Sequence, residues 1–191
     1  MVPKDKLVGV VISGGKSSRM GTDKSLLLWN NKPFYLHTAE ILAPFCSEIY
    51  VSCNVSQSNN YILPVIIDKY GSYGPISGVL SSMRALSGCS IITLPCDMPE
   101  LSEGIINEMI STNKEKQDGV FLKDDNNQLE PMLAIYNPSI YSKMLAWYDS
   151  GNYSLKKFIE SCNNVSYIKL GAQSLININT TKELDNLKRK N

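Results

Sequence analysis

A chain of 191 residues, 43% hydrophobic and 19% charged, has the make-up of a soluble globular protein, long enough to bury a substantial core as one domain spanning 1–191. Its formal net charge of +1 gives no general reason to bind nucleic acid or an anionic membrane, so any anion recognition must be local. Five cysteines without CxxC spacing and a single histidine exclude a His-based metal cluster and supply no disulfide framework, so reduced thiols in the cytoplasm are expected.

The first six residues carry no signal-peptide core, and no apolar run approaches the ~20 residues of a membrane helix. Residues 7–12 (LVGVVI) are apolar, β-branched and ended by glycines, which predicts a fully buried strand. Residues 13–24 follow as a loop with Gly14, Gly15 and Gly21 and the cations Lys16, Arg19 and Lys24. Adjacent glycines let a ligand approach the main chain, and successive N–H groups in such a loop form an anion nest. A strand followed by a glycine loop ringed with cations suits a polyphosphate. It is neither of the two commonest phosphate loops. GxGxxG is broken because Gly14 and Gly15 are adjacent, and GxxxxGK[ST] would need glycine where Val10 stands.

Residues 30–33 read as a turn and 33–44 as a helix with Leu36, Ala39, Ile41 and Leu42 on its apolar side; His37 within it has no assigned role. A strand over 48–54 has Ser52 to Asn54 at its carboxyl end, and 55–61 is polar and loop-like. A short strand over 64–68 ends in the carboxylate of Asp68, and Pro75 opens a helix that continues to Leu86. The apolar strand 90–95 then presents Asp97 between Pro95 and Pro99. Cys96 beside it has no histidine partner and is not read as a nucleophile.

A helix over 101–110 and strands over 119–123 and 130–136 come next, the strands joined by a solvated acidic turn at 124–127. Residues 139–148 are helical, and 151–158 lead into an amphipathic helix with exposed Lys156 and Lys157. Residues 175–184 alternate as a strand, with Asn177 and Asn179 on one side, and then start a helix capped by Thr180 or Thr181. This alternation of strands and helices predicts an α/β fold with a mostly parallel central sheet, and in such sheets ligands sit beyond the carboxyl ends of the strands.

The loop from Ile12 to Lys24, I-S-G-G-K-S-S-R-M-G-T-D-K, resembles the L-A-G-G-x-S-x-R-M-G-x-D-K signature of nucleotidyltransferases of the molybdenum cofactor guanylyltransferase (MobA) type. Ile12 and Ser13 stand in place of Leu and Ala. Further along, Asp68 with Gly74-Pro75-Ile76-Ser77-Gly78 resembles the family's D-x(n)-G-P-L-x-G, and Pro95-Cys96-Asp97-Met98-Pro99 its P-C-D-x-P. Residues 131–136 resemble its P-L-x-A-L-Y segment. Residues 151–158 resemble G-x-R-S-L-x-x-F, with Tyr153 where Arg is usual, and 177–184 resemble N-x-N-T-P-E-x-L. The family often has Asn near the position of Ser52.

The resemblance implies a Rossmann-like three-layer α/β sandwich of the nucleotide-diphospho-sugar transferase type. It implies transfer of GMP from GTP to the terminal phosphate of molybdopterin, or of its molybdenum-loaded form, with release of pyrophosphate. Ile12, Ser13, Gly14, Gly15, Lys16, Arg19, Lys24, Ser52, Asp68, Gly78 and Asp97 would bind the nucleotide, with Lys24, Asp97 and Arg19 serving catalysis. Asp97 would bind Mg²⁺ with Asn179 near it, since this ion takes one or two carboxylates plus phosphate oxygens and water. Asn177, Ser154 and Lys156 would face the acceptor. Proteins that deliver the cofactor and chaperones of molybdoenzymes are the implied partners. Transfer of CMP to the same cofactor, nucleotidyl transfer to a sugar phosphate, and a non-catalytic nucleotide- or cofactor-binding carrier stand as alternatives.

Overall fold

The computed structural model describes residues 7–13, 23–98 and 101–169. Gly14, Gly15, Lys16 and Arg19 of the glycine loop and the asparagine pair (Asn177, Asn179) therefore lie outside the described residues.

The first strand, β1 (Leu7–Ile12), is buried along its whole length. Its side chains alternate between two cores, as a strand covered on both faces requires. Leu7 and Val11 join one core, Val8, Val10 and Ile12 the other. Gly9 falls on the first face, where a Cβ would lie 3.2 Å from both Cys46 Sγ and Leu42 Cδ1; the missing side chain lets the following helix pack close.

After Asp23 comes a short 3₁₀ turn, Lys24–Leu26, and then a hairpin of β2 (Leu28–Trp29) and β3 (Lys32–Pro33). The predicted turn at 30–33 is this hairpin; Asn30 and Asn31 take positive φ of 49° and 60°, as a two-residue hairpin turn demands. Helix α1 (Phe34–Leu42) is shorter than the predicted span and turned slightly from it. Phe34, Tyr35, Thr38, Ala39 and Leu42 are buried, while Leu36 and Ile41 are only half-buried. His37 bonds through Nε2 to the Trp29 carbonyl oxygen at 2.6 Å, a local tie between helix and hairpin.

The chain continues through β4 (Ile49–Cys53), β5 (Val65–Ile67), α2 (Pro75–Ala85), β6 (Ser90–Pro95), α3 (Glu103–Thr112), β7 (Gly119–Lys123), β8 (Leu129–Tyr136), α4 (Tyr141–Asp149), α5 (Leu155–Glu160) and β9 (Val165–Lys169). The sheet order is β5-β4-β1-β6-β8-β7-β9. Only β8 runs against its neighbours; β4 and β6 flank β1 in parallel, and β7 pairs β9 in parallel. The mostly parallel α/β expectation is met. Strand β9 was not expected from the sequence, because it lies at an edge where only Ile168 is buried.

Side chains of α1 and α3 fill one face of the sheet and those of α2, α4 and α5 the other, which makes three layers. No helix among the described residues is long and apolar enough to cross a membrane. Because β1, β4, β5 and β6 are parallel, their carboxyl ends emerge on one edge: Ser13, Ser52, Asp68 and Asp97 come from that edge. The reversed β8 brings its amino end, at Leu129 and Glu130, to the same edge.

Candidate functional site

Asp97 stands in a turn directly after the central strand β6, and two backbone contacts hold that turn. The Cys96 N–H donates to the carbonyl of Ile12 at 3.3 Å, joining the turn to the end of β1. From α1, Thr38 Oγ1 lies 3.4 Å from the Cys96 carbonyl oxygen. The carboxylate accepts a hydrogen bond from Lys24 Nζ at 2.6 Å, and each side chain is 17% exposed. A residue from the exit of the cation-rich loop thus meets the carboxylate at the end of the neighbouring strand. Burial raises the Cys96 thiol far above its ordinary value, so it is held protonated and does not serve as a nucleophile.

A second group lies two strands away. Ser52 is fully buried and its hydroxyl donates to Asp68 Oδ1 at 2.8 Å. Gly78, in α2, closes over this bond: a Cβ there would lie 2.8 Å from Ser52 Oγ and 3.5 Å from Asp68 Oδ1. Burial raises the Asp68 carboxyl above the usual carboxylate range, opposed by the bond from Ser52. Ser52 was expected among the nucleotide-binding residues. It is fully buried, with its hydroxyl bonded to Asp68. Asn54 caps the 3₁₀ helix Val55–Asn60 by accepting from the Gln57 N–H in a capping box.

Ile12 ends β1 with its side chain in the core, and Ser13 N–H donates to the Ser52 carbonyl at 2.9 Å. Ser13 Oγ lies 2.5 Å from the Tyr61 hydroxyl. That hydroxyl also reaches Ser25 Oγ at 2.9 Å and Asp23 Oδ2 at 3.2 Å. Sequence reasoning read residues 55–61 as a polar loop and missed Tyr61, Asp23, Ser25 and Gln57 as a group. The signal that points to it is Ser13 itself, a hydroxyl where the resembled signature has Ala.

On the other side of the edge, Ser154 caps α5 by accepting from the Lys157 N–H at 3.3 Å. Lys156 Nζ donates to Gln128 Oε1 at 2.7 Å, which ties α5 to the β7–β8 turn. Glu130 on β8 was also missed. Burial, then the charges of Asp124 and Asp97, raise its carboxyl, while Lys156 opposes them; Glu130 thus shares the field of both Asp97 and the α5 lysine. Tyr153 stacks on Tyr73 with ring centroids 3.9 Å apart and planes 10° from parallel, joining the segment before α5 to the segment before α2.

Asp97 therefore stands just beyond a strand end, where a parallel sheet receives its ligands. Among the described residues no three His, Cys, Asp or Glu side chains converge into an all-protein metal cage. A small hard ion that completes its shell with phosphate oxygens and water has no need of one.

A family model for the MobA-like NTP transferase domain matches residues 9–165, from β1 into β9. The chain belongs to the MobA-like NTP transferase family. It is a nucleotidyltransferase, and the strand-end carboxylates and the loop lysine lie inside the matched span. Among curated relatives, the molybdenum cofactor guanylyltransferase of Shewanella putrefaciens is 26% identical over 189 residues, covering 91% of this chain and 92% of its own. A probable molybdenum cofactor guanylyltransferase of Bacillus mycoides is 29% identical, covering 93% and 94%. Among solved structures, the molybdopterin-guanine dinucleotide biosynthesis protein A of Archaeoglobus fulgidus superposes with a TM-score of 0.76 at 23% identity, over 96% of this chain and 97% of that one. This last likeness bears out the three-layer nucleotide-diphospho-sugar transferase fold.

Proposed function

We propose that this nucleotidyltransferase, acting as a single domain over residues 1–191, transfers GMP from GTP to the terminal phosphate of molybdopterin or Mo-molybdopterin. The observation that carries the reading is the Lys24–Asp97 pair at 2.6 Å, set where the exit of the loop meets the end of β6. The names of the curated relatives support guanine as the base and molybdopterin as the acceptor. The reaction takes place in the cytoplasm, with cofactor-delivering proteins and molybdoenzyme chaperones as its neighbours in the hand-over.

The acceptor phosphate oxygen attacks the α-phosphorus in line. A new O–Pα bond forms, the bond from Pα to the bridging oxygen breaks, and pyrophosphate leaves with that oxygen. No covalent enzyme intermediate is needed; positioning and charge stabilisation supply the catalysis. Gly14, Gly15, Lys16 and Arg19 hold the β- and γ-phosphates, and Lys24 faces charge developing at the α-phosphate. Asp68, oriented by Ser52 and covered by Gly78, is the acceptor group for the nucleoside side. Asp97, with Asn179 near it, would hold Mg²⁺, which would neutralise the triphosphate charge. Asn177, Ser154 and Lys156 border the acceptor.

The test is pyrophosphate release by the purified protein with Mg²⁺ and molybdopterin, offering GTP, CTP, ATP and UTP separately. Turnover with GTP alone is expected. Turnover with CTP alone replaces the base, and silence with all four, repeated with sugar phosphates as acceptors, overturns the reading in favour of a binding role.

A further inference from the structure

The Tyr61 hydroxyl touches both ends of the phosphate loop. At the entry it lies 2.5 Å from Ser13 Oγ; at the exit it lies 2.9 Å from Ser25 Oγ and 3.2 Å from Asp23 Oδ2. The direction of these bonds follows from donor counting. Asp23 only accepts. Ser25 gives its hydroxyl proton to Asp23 Oδ1 at 2.6 Å, and the Ser25 N–H reaches the same oxygen at 3.1 Å. Gln57 Nε2 donates to Oδ2 at 2.6 Å. The single phenolic proton of Tyr61 is therefore shared between Ser25 Oγ and Asp23 Oδ2, and Ser13 donates to the phenolic oxygen. Every bond runs toward the Asp23 carboxylate. Burial keeps the phenol protonated, so it remains a donor across the working pH range.

The residues held in this way, Asp23 and Ser25, flank Lys24. Asp23 also caps the 3₁₀ turn Lys24–Leu26. The backbone of Lys24 is thus fixed from both sides while its ammonium meets Asp97. The Tyr61 ring is anchored apart from its hydroxyl, edge-on to Tyr35 with centroids 5.0 Å apart. We infer that Tyr61 is a positioning residue for nucleotidyl transfer: through Ser13, Asp23 and Ser25 it ties the end of β1 to the Lys24–Leu26 turn and sets Lys24 against Asp97. The inference deepens the proposed function and rests on it.

The experiment is a double-mutant cycle of Tyr61→Phe with Lys24→Gln, read as steady-state kinetics and nucleotide affinity. Tyr61→Phe keeps the ring and removes the hydroxyl. It is expected to lower kcat roughly tenfold, with the acceptor KM unchanged, and to add less than about twofold in the Lys24→Gln background. Tyr50→Phe, which removes a hydroxyl that donates to Glu48 and takes no part in the network, is the control and should leave kcat within about twofold of wild type. A merely structural role would make the two effects multiply and would lower the Tm of Tyr61→Phe without selective loss of kcat; either that result or an unchanged kcat overturns the inference. Should wild type turn over no nucleotide, the functional reading fails by itself. The cycle is then read by calorimetry of Mg²⁺–GTP binding, where Tyr61→Phe must weaken affinity and do so only with Lys24 present. Wild type that binds no nucleotide overturns both.

Discussion

Lys24 and Asp97, 73 residues apart in the chain, meet at 2.6 Å with both side chains mostly shielded from water. Each supplies the other with a counter-charge. Under the proposed function a metal-bound triphosphate would offer the same two charges, a cation for Asp97 and an anion for Lys24.

Removing either member should therefore damage the chemical step. Asp97→Ala should lose about 2–3 kcal/mol of transition-state stabilisation, on the order of a hundredfold in kcat/KM, the scale of one dedicated electrostatic group. Chelation of the divalent ion should silence wild type reversibly. Pyrophosphate release measures both effects, and near-wild-type turnover of Asp97→Ala at ordinary Mg²⁺ would remove Asp97 from the metal site.

Asp68 should leave a mark on stability against pH. Its carboxyl is raised by burial, so between the ordinary aspartate value, about 3.9, and the raised one the folded protein binds more protons than the unfolded chain. Its contribution to stability is then full below the ordinary value and is lost as pH rises through the raised one. Urea unfolding of wild type and Asp68→Asn over that window should show wild type gaining on the variant as the pH falls. Parallel curves would contradict the shift.

Gly78→Ala sets two effects against each other. Alanine is the better helix former by about 1 kcal/mol, but its Cβ would lie 2.8 Å from Ser52 Oγ. The crowding should win, with a net loss of about 1–2 kcal/mol and a higher nucleotide KM as the Ser52–Asp68 bond is displaced. Adding Ser52→Ala should recover stability, because the crowded atom is gone, but not the KM. Unfolding curves and nucleotide titrations on the three variants decide this.

The Tyr73–Tyr153 stack should be a measurable coupling. Offset aromatic pairs contribute about 0.5–1.5 kcal/mol beyond their buried area. Tyr73→Ala and Tyr153→Ala should each destabilise the protein, and the double variant should cost less than their sum by about that amount. An additive pair of losses would mean that the stacked rings contribute nothing to holding the two segments together.

The central strands, their order of appearance, and the placing of Asp68 and Asp97 just beyond strand ends were legible in the sequence. Each rests on a local signal: continuous β-branched runs for strands buried on two faces, and glycine, proline or a carboxylate where the run stops. Strand β9 gave no such signal, because an edge strand with one buried residue has no apolar run to betray it. The face of α1 was misjudged by part of a turn, because Thr38 is buried for its contact with the Cys96 carbonyl as well as for its size.

What the sequence determined by itself is the chemistry available at one edge of a parallel sheet: a glycine loop with cations and two strand-end carboxylates. Which group meets which was decided only by tertiary structure. Ser52 reads as the end of a strand until folding sets its hydroxyl on Asp68, and Tyr61 reads as the end of a polar loop until folding brings its hydroxyl between Ser13 and Asp23. Those contacts span 16 to 48 residues of chain, and no local propensity encodes them. They exist because burying a hydroxyl or carboxylate is costly without a partner, and the packed sheet leaves each of these groups few partners to find.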